Sequence, residues 1–389
     1  MVTLIRSLLV SLLVSLLFVL TTIISGCSTS DSQAPIRLGV VLPLSGTFQI
    51  YGQQGLNGLM LAVEQINAKG GVLGRPLELV VEDNNTNPAE SVRLSRQLIQ
   101  VQDVFALFGP VSSSARFAMQ EVADKFQVPQ FYGIDYEGRH FSRYLICYST
   151  IPEHYINPLI PYLLETSGPN FYVFGYDYVW PHNMSERIRQ ESERLGGAIK
   201  GIEFTPFGVS DYSATFARIK ASGADNLMLI LPGGDGFNFL KQMRKFDFGR
   251  EISTVAFAAD ESYLDAVDVQ DLEGVLTALH FFSSWQSDSA KTFVDSYVDR
   301  FGSDQPATYS SKSHYDMVYL LTAAIEKVGV VEREQVIDAL SGLTRYNGKE
   351  QIKLREDHHF DLPMYLAQFK QGRLDVIKDL GRISPADQR

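Results

Sequence analysis

From Ile36 onward, short apolar runs of strand length alternate with stretches carrying apolar residues at helical spacing, and this alternation confines the chain to α/β architectures. Arg37-Leu38-Gly39-Val40-Val41-Leu42 reads as a buried strand. Residues 56–68 follow, with Leu56, Leu59, Met60, Val63 and Ile66 on one helical face. Strands at 77–81, 104–108 and 129–132 interleave with helices at 90–100 and 115–126. After a loop-like stretch at 135–154, a second set places strands at 171–175, 199–204, 226–231 and 252–257, with helices at 183–195, 212–221 and 237–246. Such alternation implies right-handed βαβ units around parallel sheets, so two doubly wound, Rossmann-like lobes are expected. The 389 residues suffice for two domains of ordinary size. No Pro-, Gly- or Ser-rich linker divides them, which points to short crossovers between the lobes.

The first thirty residues have a different character. A single positive charge at Arg6 precedes an apolar stretch over 7–24, which ends in Ile24-Ser25-Gly26-Cys27 and a polar run. A basic start, an apolar core and small residues before a cut mark a secretory signal. Cys27 after Gly26 resembles the bacterial lipobox, in which the chain is cut before the cysteine and its thiol is diacylated. An uncleaved anchor is the competing reading, because roughly 18 apolar residues just span a bilayer. Both readings place the remainder outside the cytoplasmic membrane. Cys147 is the second of two cysteines, so with Cys27 lipidated no disulfide is available, and its apolar neighbours suggest a buried structural thiol. The net charge of −11, without any run of Lys and Arg, argues against nucleic acid as a partner.

No strand is followed by GxGxxG, and neither a Walker A loop nor a GxSxG elbow occurs. His358-His359 lacks a third ligand at useful spacing, and adjacent side chains on a strand would point to opposite faces. No metal, cofactor or catalytic set is therefore expected.

In open parallel sheets, ligands bind beyond the carboxyl ends of the strands, which directs attention to the loops after Leu42, Phe108, Tyr132, Gly175, Leu231 and Phe257. After Phe108, Ser112 and Ser113 offer hydroxyls and free backbone N–H groups to a ligand oxygen, or simply cap the helix. After Phe131 come Tyr132, Asp135 and Tyr136, and after Gly175 come Tyr178 and Trp180, whose rings provide flat walls with polar tips. Pro232-Gly233-Gly234-Asp235-Gly236 permits close backbone approach, and Ala258-Ala259-Asp260-Glu261 supplies carboxylates for an ammonium or amide N–H.

Leu42-Pro43-Leu44-Ser45-Gly46 and, more specifically, the stretch Ala62-Val63-Glu64-Gln65-Ile66-Asn67-Ala68-Lys69-Gly70-Gly71-Val72-Leu73-Gly74-Arg75 resemble the opening of type I periplasmic-binding proteins of the leucine-binding type. Tyr132 with Tyr136-Glu137-Gly138, Asp177-Tyr178-Val179 with Pro181, Phe281-Phe282-Ser283-Ser284 and Asp357-His358-His359 are similar to the urea and short-chain-amide receptors of that group. The resemblance implies two lobes joined by three crossovers, residues 36–150 with 285–345 and residues 151–284 with 346–385, after a signal peptide (1–26) and a lipidated tether (27–35). It implies a solute-binding lipoprotein that closes on urea, a short amide or a related amine or amino acid, and hands it to an ABC permease in the membrane. A branched-chain-type amino-acid receptor and a lipid-anchored sensor are the alternatives. By position, Ser113 matches a ligand-contacting serine, Tyr132 and Tyr178 match aromatic pocket residues, and Glu261 falls where an acid faces the ligand nitrogen. Asp135 and Trp180 depart from the residues usual at their positions, and Asp135 favours a ligand that donates N–H bonds or carries positive charge. Replacing Cys27 with alanine is expected to leave the protein uncleaved or released from the membrane, which fractionation and radiolabelled-palmitate incorporation will report.

Overall fold

In the computed structural model, residues 34–249, 251–285, 287–347 and 350–389 are described, so the signal segment and Cys27 lie outside the described residues. The first lobe is built on β1 (Ile36–Leu42), β2 (Leu77–Asp83), β3 (Ala106–Phe108), β4 (Gln130–Tyr132) and β5 (Leu145–Cys147), in the order β2-β1-β3-β4-β5, all parallel. Between them run α1 (Gln49–Ala68), α2 (Pro88–Gln100) and α3 (Ser113–Phe126). Alternation along β1 distributes its side chains to two faces. Leu38, Val40 and Leu42 join the core that includes Leu59 and Val63 of α1, while Val41 packs with Leu94 and Leu98 of α2 and Met119 of α3. Both faces are covered, which is why β1 reads as a continuous apolar run.

After β5 the chain crosses to the second lobe and enters α4 (Pro152–Thr166), β6 (Asn170–Tyr176), α5 (Val179–Arg194), β7 (Ala198–Thr205), α6 (Ser213–Ser222), β8 (Asn226–Ile230), α7 (Gly234–Lys245) and β9 (Ser253–Ala256). Two single-turn helices, α8 (Tyr263–Ala266) and α9 (Val269–Leu272), lead to β10 (Leu276–Leu279). A return crossing brings α10 (Asp288–Phe301), α11 (Tyr309–Val328) and α12 (Arg333–Leu340) against the first lobe, followed by the hairpin β11 (Thr344–Asn347) and β12 (Glu350–Lys353). A third crossing adds β13 (Leu362–Lys370) and β14 (Arg373–Ile383) to the second sheet, whose order is β14-β13-β10-β9-β8-β6-β7.

Three features differ from the sequence expectation. The second sheet is mixed, because β13 lies antiparallel to β10 and the tight turn at Gln371-Gly372, both at positive φ, reverses the chain into β14. The stretch expected to be loop contains β5, whose three residues pair with β4 at the sheet edge. Helix α1 begins at Gln49, seven residues before the expected start, because Gly52, Gly55 and Gly58 weaken its helical signature. Those glycines serve packing: a Cβ on Gly58 would stand 2.1 Å from the Ser311 carbonyl oxygen of α11.

The C-terminal residues turn back from β14 onto the first lobe. The Gln388 side-chain oxygen accepts from the Arg139 N–H at 2.5 Å, and its own backbone N–H donates to Asp357 at 3.1 Å. Replacing Gly58 by alanine should force α1 and α11 apart and cost about 1–3 kcal/mol. Gly234→Ala, which meets no atom within 4 Å, should be near neutral by comparison. Thermal unfolding of the two variants checks the contrast.

Candidate functional site

The carboxyl ends of both sheets face one another across a seam, and the loops leaving them enclose a small cavity. Phe48, Tyr51, Val111, Ile134, Asp135 and Tyr309 line it from the first lobe, and Tyr178, Trp180, Pro232 and Ala258 from the second. Its accessible volume of about 20 Å³ is close to the minimum that holds one water. The lobes are thus closed on each other. Direct contacts hold the seam: the Tyr51 hydroxyl donates to the Ala258 carbonyl at 3.0 Å, and the Phe48 ring meets Tyr176 and Phe207 edge-on at 6.2 and 5.8 Å.

Asp135 is buried, and its two oxygens are in different situations. Oδ1 accepts from Ser149 at 2.8 Å and from Thr150, whereas Oδ2 has no partner. Burial pushes this carboxyl above its ordinary value, against the opposing pull of the Thr150, Tyr155 and Ser149 hydroxyls. The Trp180 indole N–H and the Tyr309 hydroxyl are likewise buried and without partners. Tyr178 is half-buried, and burial, then Glu137 and Asp135, push its phenol up. The wall therefore presents an acceptor, a donor and a hydroxyl able to act as either.

Of the residues singled out from sequence, the structure brings Asp135, Tyr178 and Trp180 to the cavity. Trp180 reaches it from the first turn of α5, where Pro181 is tolerated because early helical N–H groups have no intrahelical partner. Ser113 opens α3 beside Val111, with its hydroxyl buried and without a partner. Ser112 caps α3 by accepting from the Ala115 N–H at 3.3 Å, and it borders an outer groove of about 470 Å³ shared with Phe48, Tyr178 and Phe207. Four others lie away from the wall. Tyr132 is a strut, its hydroxyl donating to the Val111 carbonyl at 2.5 Å. Tyr136 packs edge-on against Tyr132 and bonds His359, beneath the Arg116–Glu137 ion pair. Asp235 accepts from the Gly208 N–H at 2.7 Å and so fixes a neighbouring loop. Glu261 turns to the Ser283 N–H at 2.5 Å.

The acid beside Glu261 is better placed for the seam. Asp260 Oδ1 takes the Ser262 N–H at 3.0 Å and the Gln54 side-chain amide, across the lobes, at 3.5 Å, while Oδ2 is free of partners. Burial pushes Asp260 up to about 6 and Glu261 up to about 8. Phe48, Tyr51 and Tyr309 were not singled out from sequence. Phe48 and Tyr51 follow one of the flagged strand ends, but Tyr309 starts a helix far along the chain and carries no local signal.

His358 and His359 sit in the turn before β13, not on a strand, and are bonded to the Ser142 and Leu145 carbonyls and to Tyr136 and Asp357. Among the described residues, no group of three or more His, Cys, Asp or Glu side chains is arranged to hold a metal, and no helix is long and apolar enough to cross a membrane. Burial pushes the free Cys147 thiol up to about 12, so it stays protonated at neutral pH.

A fold of this kind, with its cavity between the strand ends of two lobes, belongs to the periplasmic binding proteins, whose family description matches residues 35–373. The chain is a member of that family. A Leu/Ile/Val-binding protein homolog from Brucella suis is 24% identical over 84% of this chain and 85% of its own length. Among solved structures, the R. palustris ABC-transporter solute-binding protein in complex with benzoate superposes with a TM-score of 0.82 at 19% identity, covering 91% of this chain and 98% of that one. The branched-chain amino acid transporter substrate-binding protein of Streptococcus pneumoniae, in complex with isoleucine, gives 0.80 at 21%, covering 90% and 100%. At such identities the structures share the fold.

The raised acids make stability pH-dependent with a definite sign. A carboxyl that binds its proton more tightly when folded stabilises the folded state at low pH and loses that contribution as pH climbs from its unfolded value through its folded one. For Glu261 that window runs from about 4.5 to about 8. Thermal unfolding of the ligand-free protein should therefore show Tm falling between pH 5 and 8, and Glu261→Gln should flatten the fall and raise Tm at pH 8.

Proposed function

We propose that the protein is the extracytoplasmic receptor of an ABC importer, which closes two lobes on a small polar solute, releases it to a membrane permease and catalyses nothing. The observation that carries this reading is a cavity walled by both lobes at their strand ends, into which Asp135, Trp180 and Tyr309 bring polar atoms without protein partners. Buried polar groups are rarely left unpaired, so a ligand that completes them favours the closed state. Family membership and transporter-associated structural relatives support the transport role. Export by the N-terminal signal and anchoring through Cys27 complete the proposal.

For the ligand, urea, a short amide or a small amine fits the acceptor of Asp135 and the donor of Trp180. Relatives named for Leu, Ile and Val and for isoleucine support an amino acid as the second reading. Under either, the Ser113 hydroxyl, buried without a partner two residues after the cavity-lining Val111, is the candidate to receive a ligand oxygen. Native mass spectrometry of freshly purified protein, followed by a thermal-shift screen, tests the receptor reading; measurable turnover of a bound compound would refute it. Trp180→Phe keeps the ring and removes the N–H, so affinity should drop by about 1–3 kcal/mol in calorimetric titration with little change in ligand-free Tm.

A further inference from the structure

The receptor reading leaves open the net charge of the ligand, and the cleft carries information on it. Of the residues lining the cavity, five are aromatic (Phe48, Tyr51, Tyr178, Trp180 and Tyr309), one is acidic and none is basic. The acid is Asp135. Because Ser149 and Thr150 both donate to Oδ1, Oδ2 is the oxygen left for an occupant. The buried cations of the first lobe are already engaged, Arg116 by Glu137 at 2.5 Å and Lys312 by Asp316. From the other lobe, the Ala258 loop that forms part of the wall also carries Asp260, fully buried, with a second carboxylate oxygen lacking a partner. Closure therefore brings two carboxyl groups, one per lobe, toward a low-dielectric seam whose wall contains no base.

A neutral amide would supply N–H donors but no compensating charge, and a zwitterion would add a third carboxylate. A cation answers the unpaired oxygen in a cavity lined largely by aromatic rings. Resting on the receptor reading, we propose that the ligand is a small organic cation of the ammonium, amidinium or guanidinium type, with Asp135 as its counter-ion in a cavity lined by Phe48, Tyr51, Tyr178 and Tyr309. Burial raises the Asp135 carboxyl, so a proton competes with the cation for it. The groups that face it are Tyr155 of α4, Tyr178, Tyr309 of α11 and Asp260.

Two isosteric pairs isolate charge from shape: guanidinium against urea, and acetamidinium against acetamide. In calorimetric titration at pH 7.5, the cation of at least one pair should bind at least tenfold more tightly than its neutral partner. Because a proton competes with the cation for Asp135, the cation's affinity should weaken as pH is lowered, while the neutral partner stays flat. Asp135→Asn should remove the cation's advantage and the pH dependence, so that the two members of the pair bind within threefold of each other. Should that variant fold poorly, the wild-type ratio decides alone. Equal or tighter binding of the neutral partner, or a cation preference that survives in a folded Asp135→Asn protein, overturns the charge assignment and leaves the receptor reading intact. If neither pair binds, the molecule released on denaturing the purified protein is weighed: a cation supports the assignment, and a neutral or acidic compound overturns it. A protein that carries nothing and closes on none of these probes loses both readings.

Discussion

Burial of one carboxylate organises the cleft. Removing Asp135 from water is tolerable only because Ser149 and Thr150 hold one of its oxygens, and those two residues lie where the chain first leaves one lobe for the other. The interlobe segment and the cavity wall thus share a hydrogen-bond set, and Tyr155 at the start of α4 extends it through Thr150. Any movement that opens the lobes about this segment bears on the environment of Asp135, and any ligand that neutralises Asp135 bears on the opening. Under the proposed function, coupling between site and interlobe segment is a matter of shared atoms, without need for a longer pathway.

The rest of the wall follows the same economy. Strands whose faces are both covered by helices leave only their ends for chemistry, and the aromatic residues at those ends serve twice. Phe48 closes against Tyr176 and Phe207 while also lining the cavity, and Tyr51 spans the seam while doing likewise. Packing that holds the lobes together is therefore built from groups that also line the cavity, so under the proposed function affinity and closure are one equilibrium seen from two sides.

How much of this was legible in the sequence depended on the range of the interaction involved. Apolar runs such as 38–42 and 227–231 mark strands because burial on both faces favours apolar residues throughout, and the strand-end rule then led to Asp135, Tyr178 and Trp180. Helix α1 was misjudged at its start because Gly52, Gly55 and Gly58 answer to the neighbouring α11, a demand no local pattern displays. Tyr136 resembled a pocket residue in its own loop, yet its partner His359 comes from the third crossover and draws the ring inward. Between the neighbours Asp260 and Glu261, nothing local says which faces the seam; the choice is made by Ser283 and Gln54, each distant in the chain. Tyr309 was silent for the same reason.

The tail that returns from β14 has a practical side. Gln388 is only 4% exposed, and it fastens the end of a strand in one lobe to Arg139, in the loop that also carries Asp135. A purification tag or fluorescent fusion joined after Arg389 would have to emerge beside that fastening, and it would report on, or disturb, the very motion an investigator wished to follow. Labels for distance measurements belong on the outer helices, α2 in one lobe and α6 in the other, where neither the tail nor the seam is touched.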